Sequence, residues 1–274
     1  MPPPSESRKP RSSGGWIVFT AIVLFLGTIG AIFFFGFQNP GEKREESIVR
    51  INSLEGLIEA YLESQGGLET IESTHSLITN GSYFPKPDGP PVPFSIIKKR
   101  PGSIRTHFEY PLVAQTRVFD GERAFERLIS KETGRVRVRP LENAAREALI
   151  QNSFFDHTLV RAREDLNLLR FLGTTRFRDR TFYRVQVLEG NPDQEKHILL
   201  DPATFTDPFH LITDRSTGDL QILEFHDFRQ IRGLNLPHSI KATRNGEFAW
   251  KMEIDSIRVN SGVSNSVFSF QEED

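Results

Sequence analysis

The order of apolar and polar residues changes character three times along this chain. Trp16 to Phe37 is apolar throughout and carries no charge. From Ile48 the apolar positions Ile51, Leu54, Ile58, Tyr61 and Leu62 recur at three- and four-residue spacing, which places them on one helix face. From Ser76 onward the period falls to two, the period of a strand with one buried face.

The first run predicts a transmembrane helix over 16–37, since about 20 apolar residues span the hydrocarbon core of a bilayer. Its end, Ile32-Phe-Phe-Phe-Gly-Phe37, offers no Ala-x-Ala cleavage pattern, and a cleaved leader has an apolar centre of only about 7–15 residues. The run reads as an uncleaved anchor. Arg8, Lys9 and Arg11 precede it, against Lys43 and Arg44 beyond it, so the positive-inside rule keeps the N-terminus in the cytoplasm and exports the rest. Gly27 and Ala31 form a small-xxx-small pair, more simply read as small residues in an apolar helix. Residues 1–15, rich in Pro, Ser, Arg and Lys, are expected to be a disordered cytoplasmic tail. Residues 38–47 form a polar connector, and 48–274 one exported domain.

Within that domain a helix is expected over 48–65, ended by Gly66-Gly67, with a short turn through Leu68 and Ile71. The alternating stretches predict strands at Leu77–Phe84, Phe94–Lys99, Ile104–Tyr110, Val113–Phe119 and Ala124–Ile129. A helix over Leu141–Ile150 follows Pro140 and is rich in Ala, and a further helical segment is expected within 154–169. Strands resume at Arg170–Phe177, Phe182–Leu188, Glu195–Leu200, Phe209–Thr213, Leu220–Ile231, Ser239–Arg244 and Phe248–Val259. The fold class is mainly β (α+β), a long curved antiparallel sheet of roughly ten strands with covering helices.

Composition removes several chemistries. A net charge of −2 over 274 residues leaves no basic footprint for nucleic acid. The absence of Cys excludes disulfides, zinc–thiolate sites and thiol nucleophiles. His197, His210, His226 and His238 stand near Asp201, Asp207, Asp214 and Asp227, but no His-x-His, His-x-x-x-His or His-Glu-x-x-His spacing occurs, so scattered strand histidines and no metal are expected. There is no Gly-x-Ser-x-Gly frame and no phosphate loop. No catalytic residue and no cofactor are expected. Two cationic segments stand out, Lys98-Lys99-Arg100 and the alternating Arg135, Arg137 and Arg139; the second puts three guanidinium groups on one strand face, which would meet anionic lipid headgroups, the plainer reading being a solvated face or a charged edge strand.

Several phrases resemble the outer-membrane lipoprotein-sorting (lipoprotein carrier) family. They are Tyr61-Leu62 with Gly66-Gly67-Leu68 and Ile71; Phe182-Tyr-Arg-Val185; Leu199-Leu-Asp-Pro-Ala-Thr-Phe205; Phe225-His-Asp-Phe228 through Gly233 to Pro237; and Ile254-Asp-Ser-Ile257 with Val267-Phe268. The resemblance spans about residues 56–270 and implies a half-barrel whose curved sheet and helical lid enclose an apolar cavity for acyl chains. Two features depart from it: the anchor, and the lack of a placed counterpart for the family's lid-holding arginine.

Alternation then nominates the cavity face: Phe94, Ile96, Phe108, Tyr110, Val185, Val187, Leu223, Phe225, Trp250, Met252 and Ile254, any of which would serve equally as ordinary core. The implied function is binding of membrane lipid or an acylated polypeptide by a tethered periplasmic chaperone or transfer component. The alternative is an envelope sensor or scaffold that binds a partner protein without catalysis.

Overall fold

Alternation in this chain produces strands because one side of each buries apolar groups while the other meets water. The computed structural model describes residues 51–270; the expected tail, anchor and connector lie outside them. Among the described residues no helix is long and apolar enough to cross a membrane.

Thirteen strands form one antiparallel sheet. They are β1 Ser76–Phe84, β2 Val92–Lys99, β3 Ser103–Glu109, β4 Val113–Phe119, β5 Ala124–Ser130, β6 Val136–Pro140, β7 Leu169–Phe177, β8 Arg180–Val187, β9 Gln194–Leu200, β10 Phe209–Asp214, β11 Leu220–Ile231, β12 Leu234–Arg244 and β13 Glu247–Val259. The order is β6-β5-β4-β3-β2-β1-β13-β12-β11-β10-β9-β8-β7. Two meanders therefore meet at β1 and β13, and β6 and β7 are free edges, so the barrel stays open. Register shifts at Asn80/Gly81, Phe171/Thr174 and Ala242/Thr243 bend the strands locally. Gly81 is required at the first: a Cβ there would stand 2.0 Å from Glu253 O.

Because β6 and β7 are consecutive in sequence but lie at opposite edges, the chain between them must cross the sheet. It does so as α3 (Asn143–Ser153) and α4 (Thr158–Arg161). The other cover comes first in the chain: α1 (Leu54–Ser64) and α2 (Leu68–Glu72). Ser53 caps α1 by accepting the Gly56 amide at 3.1 Å, and Leu57, Ile58, Tyr61 and Leu62 of its inner stripe are buried. Gly66, at φ +90°, closes α1 and touches the turn between β11 and β12, where its Cβ would meet Gly233 O at 2.1 Å. Two phrases that carried the family resemblance, far apart in sequence, thus meet in space.

Two differences from the sequence expectation have clear causes. β12 begins at Leu234 rather than Ser239, because Arg232 and Gly233, both at positive φ, form a tight hairpin turn straight into it. Pro237 is tolerated since β13 pairs with β12 only from Ser239 onward, leaving that end of the strand with a single partner, β11. The thirteenth strand is β6, the Arg/Val segment, too short and exposed to carry a hydrophobic signal.

Candidate ligand cavity

The register places ten of the eleven nominated residues on the face that the helices cover; Tyr110 follows β3 and stacks on Phe108. Phe94 lies opposite Phe108, Val185 opposite Ile198, which faces His210, which in turn faces Leu223, and Phe225 opposite Ile240, which faces Met252. Trp250 pairs with Ala242, and Ile254 with Gly81 beside Phe94. Phe94, Phe108, Tyr110, Tyr83 and Trp250 form a run of rings with neighbouring centroids 5.7 to 6.3 Å apart. Ten of the eleven are buried in the core and Tyr110 packs against it. Only Val187 and Trp250 of the set also border open space.

That space is a cavity of about 1430 Å³ beneath α3 and the segment leading into α4. It is larger than the roughly 300–1,000 Å³ of an ordinary small-molecule site. Ala144, Ala145 and Ala148 of α3 form its roof, with Leu128, Val187, Ile212 and Trp250 as apolar wall. The same wall is heavily charged. Glu126, fully buried, accepts from Arg117 Nε at 2.9 Å, Arg139 Nε at 2.8 Å and Gln115 Nε2 at 2.7 Å. Burial alone would raise its pKa; the hydrogen bond from Arg139 and the charge of Arg117 outweigh this and hold it below the usual carboxylate range.

The cover is fastened by cations at the end of β2. Lys98 Nζ donates to Phe154 O, and burial lowers its pKa to about 7, against the opposing pull of Asp156. Arg100 forms an ion pair with Asp156, donates to Thr74 O at 2.7 Å and to Ile71 O at 3.0 Å, and lies 4.5 Å from the ring centre of Phe155. Lys99 donates to Val263 O and to Asn265 Oδ1. The run Lys98-Lys99-Arg100 is thus consumed by the fold, and Arg100 ties Ile71 and Thr74 to the segment 154–156. In β6, an edge strand, Arg137 and Arg139 stand opposite Leu128 and Glu126 on the cavity side, while Val136 and Val138 are exposed on the other face.

The four strand histidines have separate fates. His226 is exposed, His197 meets Glu195 and Arg184, and His238 Nδ1 bonds Leu236 O at 2.8 Å. His210 instead joins Asp207 and His157, all three buried. Burial pushes Asp207 up to about 6 and His157 down to about 3, and holds His210 well below its ordinary value. Sequence spacing missed this group because His157 arrives from the helical crossover, remote from the strand pair it meets.

No family model matches the chain, and no curated protein matches it. Solved structures do. A protein domain from Vibrio parahaemolyticus, described as outer membrane lipoprotein-sorting, is 14% identical, with 79% of this chain and 97% of that chain covered at a TM-score of 0.54. A DUF1329 family protein from Desulfovibrio piger is 11% identical over 80% of this chain and 98% of its own, TM-score 0.54. A LolA superfamily protein from Nitrosomonas europaea is 11% identical over 80% and 99%, TM-score 0.53. At these identities the likeness is one of fold: the chain shares the open, helix-covered sheet of the lipoprotein-sorting proteins.

Proposed function

We propose that this chain is a membrane-tethered binding protein of the bacterial cell envelope, whose covered sheet takes the acyl part of a lipid or of a lipidated polypeptide. The carrying observation is the cavity of about 1430 Å³ held open between α3 and the concave face. Its lining suits an amphiphile: Ala148, Leu128, Val187 and Trp250 for the chain, and the charged wall for a polar head. Trp250 Nε1 has no hydrogen-bond partner among the described residues. The apolar run 16–37 supplies the tether, with the domain on the outer side of the cytoplasmic membrane and the N-terminus inside. The role is binding rather than catalysis, in keeping with the missing nucleophile and phosphate motifs.

Native mass spectrometry with lipid extraction on residues 45–274, exported to a periplasm, tests this. Phospholipid or acylated peptide retained in a one-to-one ratio is the expected result. A folded domain that emerges empty, and stays empty when offered lipid, would overturn it in favour of an envelope sensor or scaffold.

A further inference from the structure

Asp207, His210 and His157 sit where the helical crossover meets the sheet. Asp207 closes the connection from β9, His210 is the second residue of β10, and His157 caps α4. Their exposures are 0%, 3% and 8%. One donor atom from each lies within 4.8 Å of the other two; His210 Nε2 is 2.7 Å and His157 Nε2 3.6 Å from Asp207 Oδ2. Ligand atoms around a tetrahedral ion with bonds of about 2.0 Å are about 3.3 Å apart, so small side-chain adjustments bring these three to that spacing. His157 Nε2, Asp207 Oδ1 and His210 Nδ1 find no hydrogen-bond partner among the described residues. Buried polar atoms left in that state need an account.

We propose that His157, Asp207 and His210 bind one divalent transition-metal ion, zinc foremost, which fastens the helical cover to the sheet. Two imidazoles and one carboxylate suit zinc and its neighbours in the transition series, whereas magnesium and calcium prefer all-oxygen sets. His157 and His210 both border the cavity. Of the nearby cations, Arg161 is paired with Glu189. The proposal has two internal costs: the His210 Nε2–Asp207 Oδ2 hydrogen bond of 2.7 Å is exchanged for bonds to the ion, and so is the cap bond of His157. His157 Nδ1 accepts the Leu159 amide at 3.3 Å, and metal on Nε2 calls for the other tautomer, so that long cap bond is exchanged for the metal bond. The inference does not depend on lipid binding.

The test uses the full-length chain in detergent, stripped with a chelator and titrated with Co²⁺. One Co²⁺ per chain is expected, with the visible d–d bands of a tetrahedral site, displaced by one equivalent of Zn²⁺. Zn²⁺ should also raise the melting temperature. His157→Gln and His210→Gln should each weaken Zn²⁺ binding about tenfold or more, with an unchanged far-UV circular dichroism spectrum. If a variant does not fold, the cobalt spectrum of the wild-type chain decides alone. Absence of stoichiometric Co²⁺ and Zn²⁺ binding by the wild type, or binding unaltered in both folded variants, overturns the proposal.

Discussion

The two helical covers, α1 and α3, are the same length and lie over the same sheet, yet they do opposite things. α1 sends Leu57, Ile58, Tyr61 and Leu62 into the core and none of its residues borders the cavity. α3 buries a single large apolar residue, Leu149, beside Asn152 and Ser153, and turns its alanines onto open space. Their ends differ too. α1 has a side-chain N-cap and a glycine terminus, while Glu142 gives α3 no capping bond. α3 is held at its far end instead, by Lys98 and Arg100 gripping 154–156. One helix is a filler and the other is a roof, and a roof of small residues over a charged wall leaves room for a ligand.

Breaking the filler should cost the most. Leu57→Ala removes a fully buried side chain and should lower the unfolding free energy by about 3 kcal/mol, read from urea titration. Gly66→Ala attacks the same helix at its end. It combines positive φ with a backbone clash and should cost about 2 kcal/mol. Under the roof, Glu126→Gln breaks a buried triad with Arg117 and Arg139. Because Arg139 is more than a third exposed, the cost is discounted to about 1–2 kcal/mol. Glu126 is held below its unfolded pKa, so its contribution is present above about pH 4.3 and lost as pH falls through the lower folded value. The stability of Glu126→Gln should accordingly lose this part of its acid dependence. Leu128→Ala, at a half-buried position that already borders space, should change stability by less than about 1 kcal/mol. A larger loss there than for Leu57→Ala would erase the distinction between the two covers.

Much of this was legible in the chain because alternation and glycine carry local information. The period of two gave nearly every strand, and the same parity put ten of the eleven nominated residues on one face of the sheet. Gly66-Gly67 announced the end of α1. What alternation does not encode is what lies over a strand. Phe94 and Trp250 read alike, but the first is packed under rings and the second borders the cavity. Lys98 read as a surface cation because charge usually is; it is buried because Phe154 O awaits it. Likewise Glu126 and His157 owe their roles to partners that arrive from other strands or from the crossover, and no spacing rule reaches that far.

The central claim is that the space beneath α3 is the ligand site. Ala148→Trp fills that space from the roof, without touching the apolar stripe of α1. Binding of a fluorescent fatty-acid probe by the wild-type domain and by this variant tests the claim most directly. The account predicts saturable one-to-one binding by the wild type and at least about a tenfold loss in the variant, roughly 1.4 kcal/mol, with an unchanged melting temperature. Equal affinity in both, or no binding by either, would contradict it.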